Sequence, residues 1–140
     1  MGTSQIIMVI LSVVLVGIAV AFAVVVFHSH SVNTSRQLLV TDLDFLASQA
    51  IRFWRTPESM GGASHNIDES DQEALEFFLR WSGNTDATDS GIYTIKANAD
   101  GTIEITGTGN EIGKDGINPV RATLILDPSS HEPLNIVIEN

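Results

Sequence analysis

The chain has 140 residues, 7 of them basic and 17 acidic, for a formal net charge of −10. That length suits one small globular domain, and so few cations could not neutralise a run of phosphates, which argues against nucleic acid as a partner. There is no cysteine, so disulfides, thiolate metal sites and cysteine nucleophiles are excluded together; stability must come from elsewhere, and packing against copies of itself is one candidate.

No Asp, Glu, Lys or Arg occurs before Arg36. Within that uncharged stretch, residues 6–27 are interrupted only by Ser12 and Gly17. As a helix these residues would measure about 33 Å, the thickness of a bilayer's hydrocarbon core. A helix apolar on every face must be surrounded by lipid or by other protein.

Three readings compete for this segment. A cleaved secretory signal is suggested by Ala21-Phe22-Ala23, but the run exceeds the usual h-region of about 7–15 residues and no basic residue precedes it. A plain membrane anchor normally carries positive charge at its cytoplasmic end. Met-Gly-Thr-Ser-Gln carries none, which suggests that a basic leader has been removed and that Met1 is the new terminus. The third reading is a helix stored in the membrane that later packs into a filament core.

The residues beyond Phe27 favour the third reading. Neither Gly nor Pro lies between Phe27 and Thr56, so nothing forces the helix to stop. Leu39, Leu43, Leu46, Ala50 and Trp54 recur at helical spacing, the stripe of an amphipathic helix with one face on a small core. Asp42, Asp44, Gln49 and Arg52 supply the polar positions. The helix is expected to end at Arg55-Thr56-Pro57, because residues before proline avoid the α region. Residues 6–55 would then form one rod about 75 Å long. The closest thing to a linker is the polar stretch 28–35, which contains no helix breaker.

After Pro57 the Gly-rich stretch to Asn66 reads as a loop. Residues 71–81 read as a short helix, with Asp68 or Ser70 as N-cap, Gly83 after its end, and Leu75, Phe78 and Leu79 inward. Gly91–Ala97 and residues 102–108 alternate in polarity around Asn98-Ala99-Asp100-Gly101, a hairpin signal. Pro119–Leu126 and residues 133–139 complete a four-stranded antiparallel meander. Its apolar face is expected to be covered by the long helix's stripe. The expected organisation is α+β: a hydrophobic stem (1–30) and a globular part (31–140) made of an amphipathic helix (31–56), a short helix (71–81) and a sheet (91–139).

A short polar pentapeptide, a long helix through a membrane and a terminal four-stranded sheet resemble the type IV pilins and pseudopilins. Gln5, the run from Ile6, Gly17 within it and the unbroken amphipathic continuation carry the likeness. The string Arg55-Thr-Pro-Glu-Ser-Met-Gly-Gly62 also looks like the helix-to-loop junction of some bacterial pilin-like proteins. The resemblance implies a pilin-like fold and a basic leader removed by a prepilin peptidase. It also implies storage in the cytoplasmic membrane and extraction by pilus assembly machinery into an extracellular helical homopolymer, with ATP hydrolysis in separate proteins. The residues it places in the filament core are Met1, Gln5, Ile6, Ile10, Val14, Gly17, Ala21, Val24 and Phe27.

Two departures matter. The family commonly has glutamate at the fifth mature position, where it neutralises a neighbour's terminal amine. Gln5 accepts a hydrogen bond but brings no charge. The usual helix-melting proline is also missing, leaving Gly17 as the one position that eases local unwinding.

Other constellations have plainer readings. His28 and His30 are two apart on a helix, which points them to different faces, and with His65 and His131 they read as polar filler rather than metal ligands. Residues 109–116 offer oxygen atoms as a calcium loop does, but lack its spacing and include Lys114. A solvated turn is the default. Asn33-Thr34-Ser35 is an N-glycosylation sequon at Asn33. No Ser-His-acid spacing, phosphate-binding loop or GxGxxG is readable, so the chain is not read as an enzyme and no cofactor is expected. Phe22, Phe27, Phe45, Phe53 and Trp54 read as helix packing. A membrane-anchored sensor or binding module, and a scarce initiating or tip pseudopilin, stay open beside the filament subunit.

Overall fold

The computed structural model describes residues 2–130 and 134–139. Helix α1 runs unbroken over Gly2–Arg55, 54 residues, or about 80 Å. A one-turn 3₁₀ segment, Glu69–Asp71, leads into α2 (Gln72–Leu79). Five strands come next: β1 (Thr85–Thr88), β2 (Gly91–Ala97), β3 (Ile103–Ile112), β4 (Pro119–Leu126) and β5 (Leu134–Glu139). They form one antiparallel sheet in chain order. The expected α+β layout of a long helix on an antiparallel meander is present, with five strands rather than four.

The additional strand is β1. All four of its residues are exposed, so Thr85-Asp86-Ala87-Thr88 shows no alternation of polarity. Its backbone pairing to β2 makes it a strand. It is short, and Asp86 pairs with Tyr93 and so points to the helix side of the sheet, both features that protect an edge from further pairing.

Helix α1 lies across β3 and β4, and α2 packs on α1 and β2. The buried line on α1 is Val32, Ser35, Leu39, Leu43, Ala47, Ala50 and Phe53. Leu46 and Trp54, expected in the stripe, are only half-buried, and Ala47 and Phe53 take their places, because helical phase rather than side-chain size decides what faces the sheet. Among the aromatic residues read as packing, Phe45 is 63% exposed. It sits on a flank of α1, off the buried line.

Close approach of α1 to the sheet depends on glycine. On β3 the inward positions run Ile103, Ile105, Gly107, Gly109. A Cβ at Gly107 would lie 2.9 Å from the Tyr93 ring and 3.2 Å from Leu39; one at Gly109 would lie 2.7 Å from Ser35 Oγ. Where the helix crosses, the strand has no room for side chains.

Two polar ties fix the layers. Tyr93 donates from its hydroxyl to Asp42 Oδ2 on α1 at 2.7 Å. Gln72, at the start of α2, donates to the Ile95 carbonyl at 3.1 Å and accepts from the Ala97 N–H at 2.7 Å. The end of α1 is closed by its own loop: the His65 N–H donates to the Trp54 carbonyl, and the Ala63 N–H to the Phe53 carbonyl, which the Thr56 N–H also reaches, so that these last carbonyls of the helix have partners. That return needs Gly62, because a Cβ there would fall 2.2 Å from the Thr56 carbonyl oxygen. Helix α2 ends at Arg80, which takes the left-handed conformation at φ 62°, three residues before the Gly83 expected after its end. Asp68 is the N-cap, of the 3₁₀ turn, in a reciprocal box with Asp71.

Tyr93 is the chain's only tyrosine, and it is 1% exposed. Burial, and next the Asp42 carboxylate beside it, push its phenol well above the ordinary value of 10. The fold therefore favours the neutral phenol. Its contribution to stability is full below the unfolded value, near 10, and is lost as pH rises above that toward the folded-state value. Tyr93→Phe is expected to cost about 1–3 kcal/mol at neutral pH. It should also flatten the loss of stability above about pH 10, as read by urea unfolding across that range.

Candidate assembly surface

The first half of α1 stands clear of the domain. Every residue from Gly2 to His30 is exposed, and Val32 is the first buried residue on the helix. This is one helix apolar and long enough to cross a membrane, with none of its most apolar window buried within the chain. Seventeen large apolar side chains between Ile6 and Phe27 face outward. At roughly 1.5–3 kcal/mol each, keeping them in water costs more than the roughly 5–15 kcal/mol of net stability of a domain.

Of the expected core residues, Ile6, Ile10, Val14, Gly17, Ala21, Val24 and Phe27 all lie on this exposed stem, as does Gln5; Met1 lies outside the described residues. They do not converge on a pocket within one chain. They are spread along a rod whose whole circumference is apolar. The one hydroxyl within the run is satisfied internally, since Ser12 Oγ donates to the Met8 carbonyl at 2.8 Å. Nothing lies within 4 Å of where a Gly17 Cβ would be, so within one chain this glycine is not required by packing.

The junction is tight. Phe27, His30 and Thr34 form a groove of about 450 Å³ with Asp89, Asn110 and Glu111 at the base of the sheet. The domain thus begins where the apolar run ends, without a linker. Asn33 is exposed in the middle of α1, while Ser35 of the same sequon is buried beside Gly109.

The remaining candidate residues do not cluster. His28 and His30 are exposed on the helix and His65 packs edge-on against Trp54 at 4.5 Å; His131 lies outside the described residues. No group of three or more His, Asp or Glu able to hold a metal occurs among the described residues. Residues 109–112 belong to β3, leaving a turn closed by Asp115, whose carboxylate accepts from the N–H groups of Ile117 and Asn118 and from the Asn118 amide. Those bonds, Ile117's first, hold the Asp115 carboxyl below its ordinary range. Asp68 and Asp100 are lowered likewise, by Ser70 and Thr102. Each is a local turn device, far from the others in the chain.

The sequence did not flag the two flanks of α1 on the globular domain. On one side Leu38 and Phe45 are exposed. On the other, Leu134 and Ile138 of β5 are exposed, with Val40 half-buried nearby. Their apolar character was legible, but their exposure depends on which strands α1 covers. No family model, curated protein or solved structure matches this chain.

Because every buried residue among those described lies at Val32 or beyond, a fragment of residues 29–140 is expected to fold and stay in solution, free of stem-driven assembly. One beginning at Ser35 discards Val32 and should be less stable, by about 1 kcal/mol or more. Thermal unfolding by circular dichroism, with sedimentation equilibrium, checks both.

Proposed function

We propose that this chain is a structural subunit that homopolymerises, through its N-terminal helix, into an extracellular filament of the type IV pilin kind. One observation carries the reading: a single unbroken helix is apolar and exposed all round in its first half and forms the domain's packing spine in its second. Such a stem is rigidly fixed to a water-soluble head. Lipid can shelter it before assembly, and identical stems can shelter it afterwards. The pilin-like layout of long helix and antiparallel meander supports the same reading, as does an acidic head suited to water.

In this account the subunit carries no chemistry of its own. The stem residues Ile6, Ile10, Val14, Gly17, Ala21, Val24 and Phe27 pack against neighbours. Gln5 sits near the head of the stem, where it contributes a hydrogen bond rather than an ion pair. Axial register therefore depends on apolar packing and on contacts between heads.

A single-pass anchor for a binding module is the competing reading, and the same uncharged stem favours it. The two differ in oligomeric state. Val14→Asp or Gly17→Asp places a charge where lipid or neighbouring stems must lie, at a cost of several kcal/mol per subunit if it stays ionised. We expect either substitution to abolish fibres in negative-stain images of material sheared from cells, with the head still folded. Normal fibres from Val14→Asp would falsify the stem-core model.

A further inference from the structure

We propose that the heads of neighbouring subunits bind each other head-to-tail, the β5 flank of one domain seating on the Phe45 flank of the next. The contact presupposes the filament proposed for this chain and specifies which surfaces its subunits use outside the stem.

The two flanks are set apart by the sheet order. Helix α1 covers β3 and β4, α2 lies toward β2, and β5 is left as the edge beyond α1. On β5, Leu134, Ile136 and Ile138 pair with the buried Leu126, Leu124 and Ala122, so they share the core-facing side of the sheet. No helix reaches over them: Leu134 is 44% and Ile138 46% exposed. Val137 on the opposite side is exposed as well. β5 is therefore apolar on its core-facing side at an open edge, with Val137 between Asn135 and Glu139 on the other, a state that invites pairing with another chain. β1, at the other edge, is short and polar and invites none.

Across α1 lies the complementary surface. Leu38 and Phe45 project from the flank opposite Arg36 and Val40, as their phase on the helix requires. Phe45 lines a groove of about 450 Å³ with Leu79, Trp81, Asp42, Asp86 and Asp89. Among the described residues, the groove between α1 and β5 instead carries one ionisable residue, Arg36, beside Val40 and Ile138. Arg36 Nε is buried and has no hydrogen-bond partner among the described residues. One flank is apolar with a cation, and the other is apolar and aromatic with three carboxylates. The charges of the two grooves are complementary, while Glu139 of β5 lies on the other side of the sheet, opposite Arg121.

A second copy of this chain is the occupant that brings both surfaces together. Two β5 edges meeting each other would form a closed two-fold pair and oppose like charges. Joining unlike flanks leaves one of each free at the ends, so growth continues into an open polymer wherever the rotation does not close a ring.

The chain contains no cysteine, which makes site-directed cross-linking clean. Leu134→Cys or Ile138→Cys is combined with Leu38→Cys or Phe45→Cys, giving four double variants, each alongside its single variants. Sheared fibres are treated with a short bis-maleimide and run on denaturing gels. The expected result is a ladder of trimers and larger species in at least one double variant, absent from all single variants. Normal fibres without a ladder in any of the four overturn the contact while leaving stem-driven polymerisation intact. Dimers from a single variant overturn it in favour of a two-fold contact, and an adduct of foreign mass overturns it in favour of another protein. Absence of fibres from the parent chain removes the filament reading and this contact together. Should a double variant fold without polymerising, Ile138→Asp and Phe45→Asp decide: loss of fibres from both supports the contact, and retention in either overturns it.

Discussion

A helix backbone satisfies its own hydrogen bonds, and that is what lets the first half of α1 exist as a fully apolar rod. With Ser12 bonded back to Met8, the stem offers its surroundings almost nothing but hydrocarbon from Ile6 to Phe27. Water is the one environment it cannot occupy at reasonable cost. A bilayer and a bundle of identical stems both meet the requirement, and a subunit that passes from one to the other exchanges shelter of similar polarity. The same unbroken backbone extends into the head, so displacement of the stem carries the domain with it.

The head is arranged to hold that rod firmly with a small core. Gly107 and Gly109 remove side chains from β3 where Ser35 and Leu39 cross it, bringing helix and sheet into close contact. Tyr93 and Asp42 then tie the sheet to the helix through a partly buried hydrogen bond. Without a disulfide, rigidity comes from this close packing and from the loop that caps the Phe53 and Trp54 carbonyls. The domain leaves apolar surface on either side of α1 in the same act, because one helix pair cannot cover a five-stranded sheet.

Much of this arrangement is legible in the order of the residues. A run without charge, continued by a stripe with no Gly or Pro until Pro57, marks α1 and its division into stem and spine. Strand β2 is visible in the alternation of Gly-Ile-Tyr-Thr-Ile-Lys-Ala. The features that escape have physical causes. β1 has no buried side chain, so only its backbone pairing marks it. The end of β3 reads as a loop because Gly109 and Asn110 look like turn residues, although Gly109 is there to admit the helix. Arg80 takes a left-handed conformation that sequence rules assign to glycine. The stem is readable as a candidate site from composition alone. The flanks are not, because the exposure of Phe45 and Ile138 depends on tertiary placement.

The central claim is that the stem ends its life sheltered by copies of itself. It is tested most directly by shearing cells that export the wild-type chain, sedimenting the released material and measuring the chain in each fraction. A large share of the chain is expected in a high-mass extracellular fraction made of this protein. Finding all of it in the membrane, and dispersed as single copies once detergent replaces lipid, would contradict it.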